Sequence, residues 1–224
     1  NNIHVFSISD YTTNALSNAG FANYRVKSLP WGIKDMLYPC EDVSNDKFTF
    51  IISGSIEERK GQDIVLSAIS KLDPNIVIEA KFIFVGSVLD QSIFESILQA
   101  SYRKPNIVYF DALPKEQIIQ MYQKADCMII ASRDEPMSLV AVESAILSKP
   151  FICSDHTGIA GYVDDGFNGI IFVSEDSDAL ADKLTFAIKN KDKMRIMGSH
   201  SRSIYLEHFS YNDYCVSVAN TISS

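Results

Sequence analysis

Residues 126–154, DCMIIASRDEPMSLVAVESAILSKPFICS, decide the architecture. The segment opens on a short apolar run at 126–131, continues into helical spacing at 138–147, and closes on a second apolar run at 149–154. Short, unbroken apolar strands joined by a helix imply a parallel sheet covered on both faces. The pattern extends toward the N-terminus. FTFIIS at 48–53 stops at Gly54, and residues 62–72 set Ile64, Val65, Ala68, Ile69 and Leu72 on one helical face. KFIFV at 81–85 stops at Gly86, followed by helical spacing at 90–100, a strand at 106–110 and a helix at 115–124. Beyond Phe172 the spacing predicts helices at 176–188, 192–207 and 212–222. The fold class is therefore α/β. Such sheets bind ligands at the carboxyl ends of their strands, which selects the loops after Ser53, Val85, Phe110, Ala131 and Ser154.

Composition sets outer bounds. The 224 residues, 46% of them hydrophobic, support one substantial core, or one full domain plus a fragment. A net charge of −8 argues against wholesale nucleic-acid binding, which needs a basic face. No stretch approaches the apolar length of a transmembrane segment. The opening NNIHVFSISD lacks the basic flank and long apolar run of a signal peptide. Cys40, Cys127, Cys153 and Cys215 show no CxxC spacing, so no metal is expected. Cys127 and Cys153 lie in apolar runs and read as buried thiols, which suits a reducing cytosol.

Residues 1–40 break the repeat. A strand at 3–8, a helix at 10–19 ended by Gly20, and a strand at 24–29 lead into Pro30-Trp31-Gly32. The polar stretch CEDVSNDK at 40–47 reads as a loop joining this leading piece to the main domain.

The strongest constellation is Glu135 and Glu143, with seven residues between them. A helix beginning near Pro136, a residue suited to a first helical turn, points the free N–H groups of Met137, Ser138 and Leu139 outward. With the helix dipole they form an anion site fit for a phosphate. Glu143, two turns along and toward the strand ends, can accept bonds from both hydroxyls of a ribose, and Glu135 from sugar hydroxyls. The bland alternative makes Glu135 a complement to the helix dipole and Glu143 a solvated residue. The apolar neighbours Val142 and Ala145 favour the functional reading. His156 lies in the loop after Ser154, where a histidine is usually solvated, and His4, His200 and His208 read as structural.

The segment EPMSLVAVE and the following SAILSKPFICSDHTGIAGYVDDGFNGIIF resemble family 4 glycosyltransferases of the GT-B fold. Lys149-Pro150, Thr157-Gly158 and Asn168-Gly169 fall in that family's order, and the likeness runs from about residue 24 to 209. It implies a Rossmann-like parallel sheet with helices on both faces, the C-terminal half of a GT-B fold. GSIEERKG at 54–61 resembles the family's Gly-Arg, short gap, Lys-Gly pattern. Gly54 lets the backbone turn close to a ligand, while Lys60 and Gly61 match. The family's Arg falls on Ser55, leaving Arg59 as the candidate cation for the diphosphate. In similar enzymes the loop FDALP at 110–114 lies against the base through backbone atoms, here of Ala112 and Leu113, although a plain strand-to-helix turn is an equal reading.

The resemblance implies transfer of a sugar from a nucleoside diphosphate sugar to an acceptor hydroxyl with retention, in bacterial-type polysaccharide or glycoconjugate synthesis. Glu135 and Lys60 are its implied catalytic residues. Helix N–H groups, Lys60 and Arg59 take the place of a metal at the diphosphate, and no cofactor is implied. Residues 1–40 resemble the tail of an acceptor domain plus linker, 41–208 the donor domain, and 209–224 a helix returning to the acceptor half. The acceptor glycan, lipid or protein is then held mainly by a domain preceding residue 1, and the chain alone is expected to be inactive. A cytoplasmic location follows, peripheral to the inner membrane face through that other domain. A sugar-nucleotide epimerase of the same fold is the alternative; it would need different acid–base residues, and the glutamate pair with Lys60 favours transfer. Ser55 keeps a non-catalytic binding module in view, and a flavodoxin-like signalling domain would need an acidic cluster at Gly54-Ser55.

Overall fold

A computed structural model describes residues 4–21, 25–35 and 45–222. The leading piece holds β1 (His4–Ser7), α1 (Asp10–Asn18) and β2 (Arg25–Ser28), with β1 and β2 paired in parallel as a separate two-stranded sheet. The main body runs β3 (Phe48–Ser53), α2 (Gln62–Lys71), α3 (Pro74–Val77), β4 (Ala80–Val85), α4 (Gln91–Arg103), β5 (Ile107–Phe110) and α5 (Lys115–Lys124). It continues with β6 (Cys127–Ile130), α6 (Leu139–Ile146), β7 (Phe151–Ser154), β8 (Ile170–Phe172), α7 (Ser177–Lys189), α8 (Lys191–Ile204) and α9 (Tyr211–Ile222).

Six strands form one parallel sheet in the order β5-β4-β3-β6-β7-β8. The chain steps outward from β3 to β5, returns to the centre at β6, and steps outward again to β8. The period-2 alternation of β3 explains its double coverage. Phe48, Phe50 and Ile52 pack with Ile64 and Ile69 of α2, Ile97 of α4 and Leu184 of α7. Ile51 faces the other way, toward Tyr122 of α5 and Val142 and Ile146 of α6. Side-chain caps set several helix starts. Asp90 accepts from the N–H groups of Ser92 and Ile93 at 2.9 and 3.2 Å, and Asp176 from those of Asp178 and Ala179 at 3.0 and 2.9 Å. Each such cap stabilises by about 1 kcal/mol.

The α/β fold read from the sequence is the observed one, with local differences. Ile3 and Tyr24, which begin the first two predicted strands, and most of the 40–47 loop lie outside the described residues. The four-residue α3 shows no apolar period, and its signal is the Asp73-Pro74 start, where Asp73 accepts from the Asn75 N–H at 2.7 Å. The helix expected at 192–207 ends at Ile204 and gives way to a wider turn, Tyr205–Phe209. That turn buries both Tyr205 and Phe209 in the core beside α6, with three exposed residues between them.

The segment before the main body is tied to this wider turn and to α9. The Ile33 N–H donates to the Phe209 carbonyl at 2.8 Å, and the Tyr205 hydroxyl donates to the Ile33 carbonyl at 2.9 Å. The Arg202 guanidinium grips both oxygens of Asp35, and Lys34 sits 5.2 Å from the Tyr211 ring centroid. Gly32 is required here: a Cβ at this position would meet the Tyr211 Cα at 2.9 Å.

Phe50 is 0% exposed and stacks on Phe82 of β4 with centroids 5.1 Å apart. Phe50→Ala is expected to cost about 3–5 kcal/mol. Urea unfolding checks this, through a lower midpoint at an unchanged slope.

Candidate active site

Strands β3 and β6 pair only through Phe50↔Cys127 and Ile51↔Met128. Beyond those residues the two strands are no longer paired, and the chain reversal leaves a crevice at their carboxyl ends. In open α/β sheets this is where ligands bind. The crevice here is a cleft of about 250 Å³. One bank is Ser53, Gly54, Lys60 and Gln62; the other is Ala131, Ser132, Glu135 and residues 137–140; Trp31 joins from the leading segment.

Gly61 lets the two banks approach, and Gly86 lets the loop after β4 close on the loop after β3. Gly61 has φ +68°, and a Cβ on it would lie 2.1 Å from the Ala131 carbonyl oxygen. At Gly86 a Cβ would lie 1.9 Å from the Gly54 oxygen. Hydrogen bonds then fix the loops. The Arg133 N–H donates to the Arg59 carbonyl at 2.8 Å. The Arg133 guanidinium holds both oxygens of Asp63 at 2.9 and 2.7 Å, Glu175 at 2.9 Å, and the Glu58 carbonyl. Buried Gln62 donates to the Ser55 carbonyl at 2.7 Å. Sequence reasoning assigned no role to Arg133 or Gln62, because their partners lie on other loops.

Charge concentrates at Glu135, which is only 8% exposed. Its Oε2 accepts from Lys60 Nζ and from Arg59 Nη1, the latter at 3.3 Å. Its backbone is pinned as well: its N–H donates to the His156 carbonyl at 3.1 Å, and its carbonyl accepts from the Gly158 N–H at 2.8 Å. A second carboxylate, Glu57, takes the other side of Arg59 at 3.2 Å. The Ser55 hydroxyl donates to Glu57 at 2.6 Å. That bond, aided by Arg59 and Lys60, holds the Glu57 carboxyl below its ordinary range. Ser55, standing where the resemblance places an arginine, thus braces the carboxylate that holds Arg59.

The start of α6 corrects the sequence reading. The helix begins at Leu139, and Pro136 lies outside it. Ser138 is the N-cap, its Oγ accepting from the Ala141 N–H at 3.3 Å. A hydroxyl that satisfies a first-turn donor fixes the start more strongly than a proline that merely tolerates it. The outward first-turn donors are therefore the N–H groups of Leu139 and Val140, not those of Met137 to Leu139. Met137 and Ser138 still line the cleft. Pro136 is held from the leading piece, its carbonyl accepting from the Ser9 hydroxyl at 2.7 Å, while Tyr11 donates to Asp134 at 2.9 Å.

Glu143 does not line the cleft. It is half-buried on α6, where burial raises its carboxyl above the ordinary range and Lys115 of α5 opposes the rise. Its charge also reaches Tyr122, whose hydroxyl donates to Ser53 at 2.6 Å. Ala112 is exposed and Leu113 half-buried in the β5–α5 loop, and neither lines the cleft. Structure therefore brings Gly54, Lys60, Glu135, Met137, Ser138 and Leu139 together, with Ser55 and Arg59 on the rim, and sets Glu143, Ala112 and Leu113 to one side. Among the described residues no group of three or more His, Cys, Asp and Glu side chains is placed to hold a metal ion. Nor is any described helix long and apolar enough to cross a membrane. Cys127 and Cys153 are free and buried, and burial pushes the Cys153 thiol up to about 12.

Residues 41–204 match the family model of glycosyl transferases group 1. The chain belongs to this family. Its parallel sheet and helices match solved GT-B glycosyltransferases. HepE of Anabaena, crystallised with UDP, superposes with a TM-score of 0.86 at 22% identity, over 98% of this chain and 63% of that one. Sucrose-phosphate synthase of Thermosynechococcus elongatus gives 0.85 at 19% identity, over 98% and 57%. In sequence, an uncharacterised glycosyltransferase of Methanocaldococcus jannaschii is 25% identical over 219 residues, 96% of this chain and 58% of the relative. D-inositol 3-phosphate glycosyltransferase of Nocardia farcinica is 25% identical over 152 residues, 65% of this chain and 34% of the relative. This glycosyl transferases group 1 domain thus spans well under two thirds of the length of these two relatives.

The raised Glu143 carboxyl gives a signed expectation. A carboxyl whose folded pKa lies above its unfolded value contributes nothing below the unfolded pKa. It destabilises progressively as pH rises through the folded pKa. Glu143→Gln is therefore expected to raise the melting temperature at pH 8 and leave it nearly unchanged at pH 3.5. Equal shifts at both pH values would contradict the buried-carboxylate assignment.

Proposed function

We propose that this domain binds a nucleoside diphosphate sugar and supplies the donor site of a retaining, family 4 glycosyltransferase. The observation that carries the reading is the convergence of Lys60 and Arg59 on Glu135 at the β3/β6 crevice, beside the first turn of α6. Two cations and two free N–H groups suit a diphosphate. A diphosphate that takes Lys60 and Arg59 releases Glu135, whose carboxylate then accepts sugar hydroxyls. Glu143, one helix face away, takes the ribose hydroxyls, with the backbone of Ala112 and Leu113 toward the base. That HepE was crystallised with UDP, and with UDP-glucose, supports a uridine donor.

In the proposed reaction the bond from the sugar's anomeric carbon to the diphosphate oxygen breaks. An acceptor oxygen bonds to the same carbon on the same face, and its proton passes to the departing phosphate. Negative charge grows on the diphosphate, and Lys60, Arg59 and the α6 N–H groups meet it without reorganising. No metal is needed for that role. The acceptor lies on a further domain of the protein, with residues 1–40 as its tail and linker, 41–208 as the donor domain and 209–224 as the returning helix, and the whole is cytoplasmic. Retention, like the acceptor, rests on the family 4 resemblance.

Calorimetric titration of UDP, GDP, ADP and dTDP into the chain tests the donor site. One nucleotide is expected to bind, with Lys60→Ala and Arg59→Ala each weakening it about tenfold or more, as for a lost charge-assisted hydrogen bond. Glu143→Ala is expected to weaken the nucleoside diphosphate while leaving inorganic diphosphate unaffected. No binding by any nucleotide, or full binding by Lys60→Ala and Glu143→Ala, would refute the assignment.

A further inference from the structure

Trp31 is the single tryptophan of the chain and, among the described residues, the one aromatic ring lining the cleft. It is 43% exposed, although its backbone is firmly held. Gly32 next to it closes on α9, and Ile33 is bonded on both sides to the Tyr205–Phe209 turn. A large apolar ring kept at the mouth of a charged cleft, on an anchored backbone, has no packing role in the core to account for its exposure.

We infer that Trp31 is the platform for the sugar ring of the donor, and that it makes the site prefer a nucleoside diphosphate sugar over the bare nucleoside diphosphate. The inference rests on the donor-site reading above and adds a residue to it. The space within the cleft points to the sugar. Glu143, Ala112 and Leu113, assigned to the nucleoside in the proposed donor site, lie outside the cleft, whereas Lys60, Glu135 and the α6 start lie inside it with Trp31. The cleft is left for the diphosphate and what it carries. A pyranose has hydroxyls around its edge and C–H groups on its faces. Its recognition needs an acceptor for the hydroxyls and a flat apolar surface for a face. Glu135 provides the first and Trp31 the second, and among the described residues the lining offers no other ring.

A chain with one tryptophan reports on this site through its own fluorescence. UDP-glucose, UDP-N-acetylglucosamine and GDP-mannose are titrated beside UDP and GDP, with tryptophan emission and calorimetry read in parallel. The matching sugar nucleotide is expected to shift or quench the emission well beyond its nucleoside diphosphate. Trp31→Ala is expected to lose about five- to tenfold in affinity for the sugar nucleotide and less than about twofold for the nucleoside diphosphate. Trp31→Phe, which keeps a ring, is expected to recover most of the loss. Equal losses for both ligands, or none for the sugar nucleotide, would overturn the assignment while leaving the donor site intact. Failure of the unaltered chain to bind any nucleoside diphosphate is a different result, and removes the donor site and this inference together.

Discussion

Everything at the site depends on the shortness of one strand pairing. Strands β3 and β6 share only two registered residue pairs before they separate. Because the chain leaves β3 in one direction and β6 in the other, no helix crosses over the gap between their ends. Gly54, Gly61 and Gly86 put bare backbone where the loops around the gap meet. Arg133 then fastens the two banks by bonding the 58–59 backbone and the first turn of α2. The result is a crevice held open by topology and held in shape by hydrogen bonds.

Within that frame the electrostatics form a chain. Ser55 supports Glu57, Glu57 supports Arg59, and Arg59 and Lys60 meet on Glu135. Only Glu135 is nearly buried, so its contacts are weakly screened and the outer ones strongly. The proposed binding step exchanges partners within this chain. Cations pass from carboxylate to phosphate, and the carboxylate passes from cations to hydroxyls. No buried charge is left alone at either end of the exchange.

Much of this was legible in the sequence. The apolar runs FTFIIS, KFIFV and DCMIIA are fully or nearly fully buried strands, and a parallel sheet is the fold that needs them. Lys60 and Glu135 were legible because each stands just beyond such a strand, where the sheet opens. What failed was decided by competition or by distant contacts. Ser138 outcompetes Pro136 for the start of α6 through one side-chain hydrogen bond. The helical spacing through 207 does not show that α8 ends at Ile204 and passes into a wider turn, because Tyr205 and Phe209, four residues apart, keep the apolar period of a regular helix. Trp31, Gln62 and Arg133 carried no local signal, since their partners lie far along the chain or on other loops.

The pairing of Lys60 and Arg59 with Glu135 has a consequence for competition with abundant cellular anions. An inorganic anion that draws the two cations away takes from the nearly buried Glu135 carboxylate both of its cationic partners. A sugar-bearing diphosphate, on the proposed reading, brings hydroxyls to fill the vacancy. On that reading the internal ion pair acts as a bias: it weakens the hold of the site on bare anions and favours, among diphosphates, those that carry both halves of the exchange.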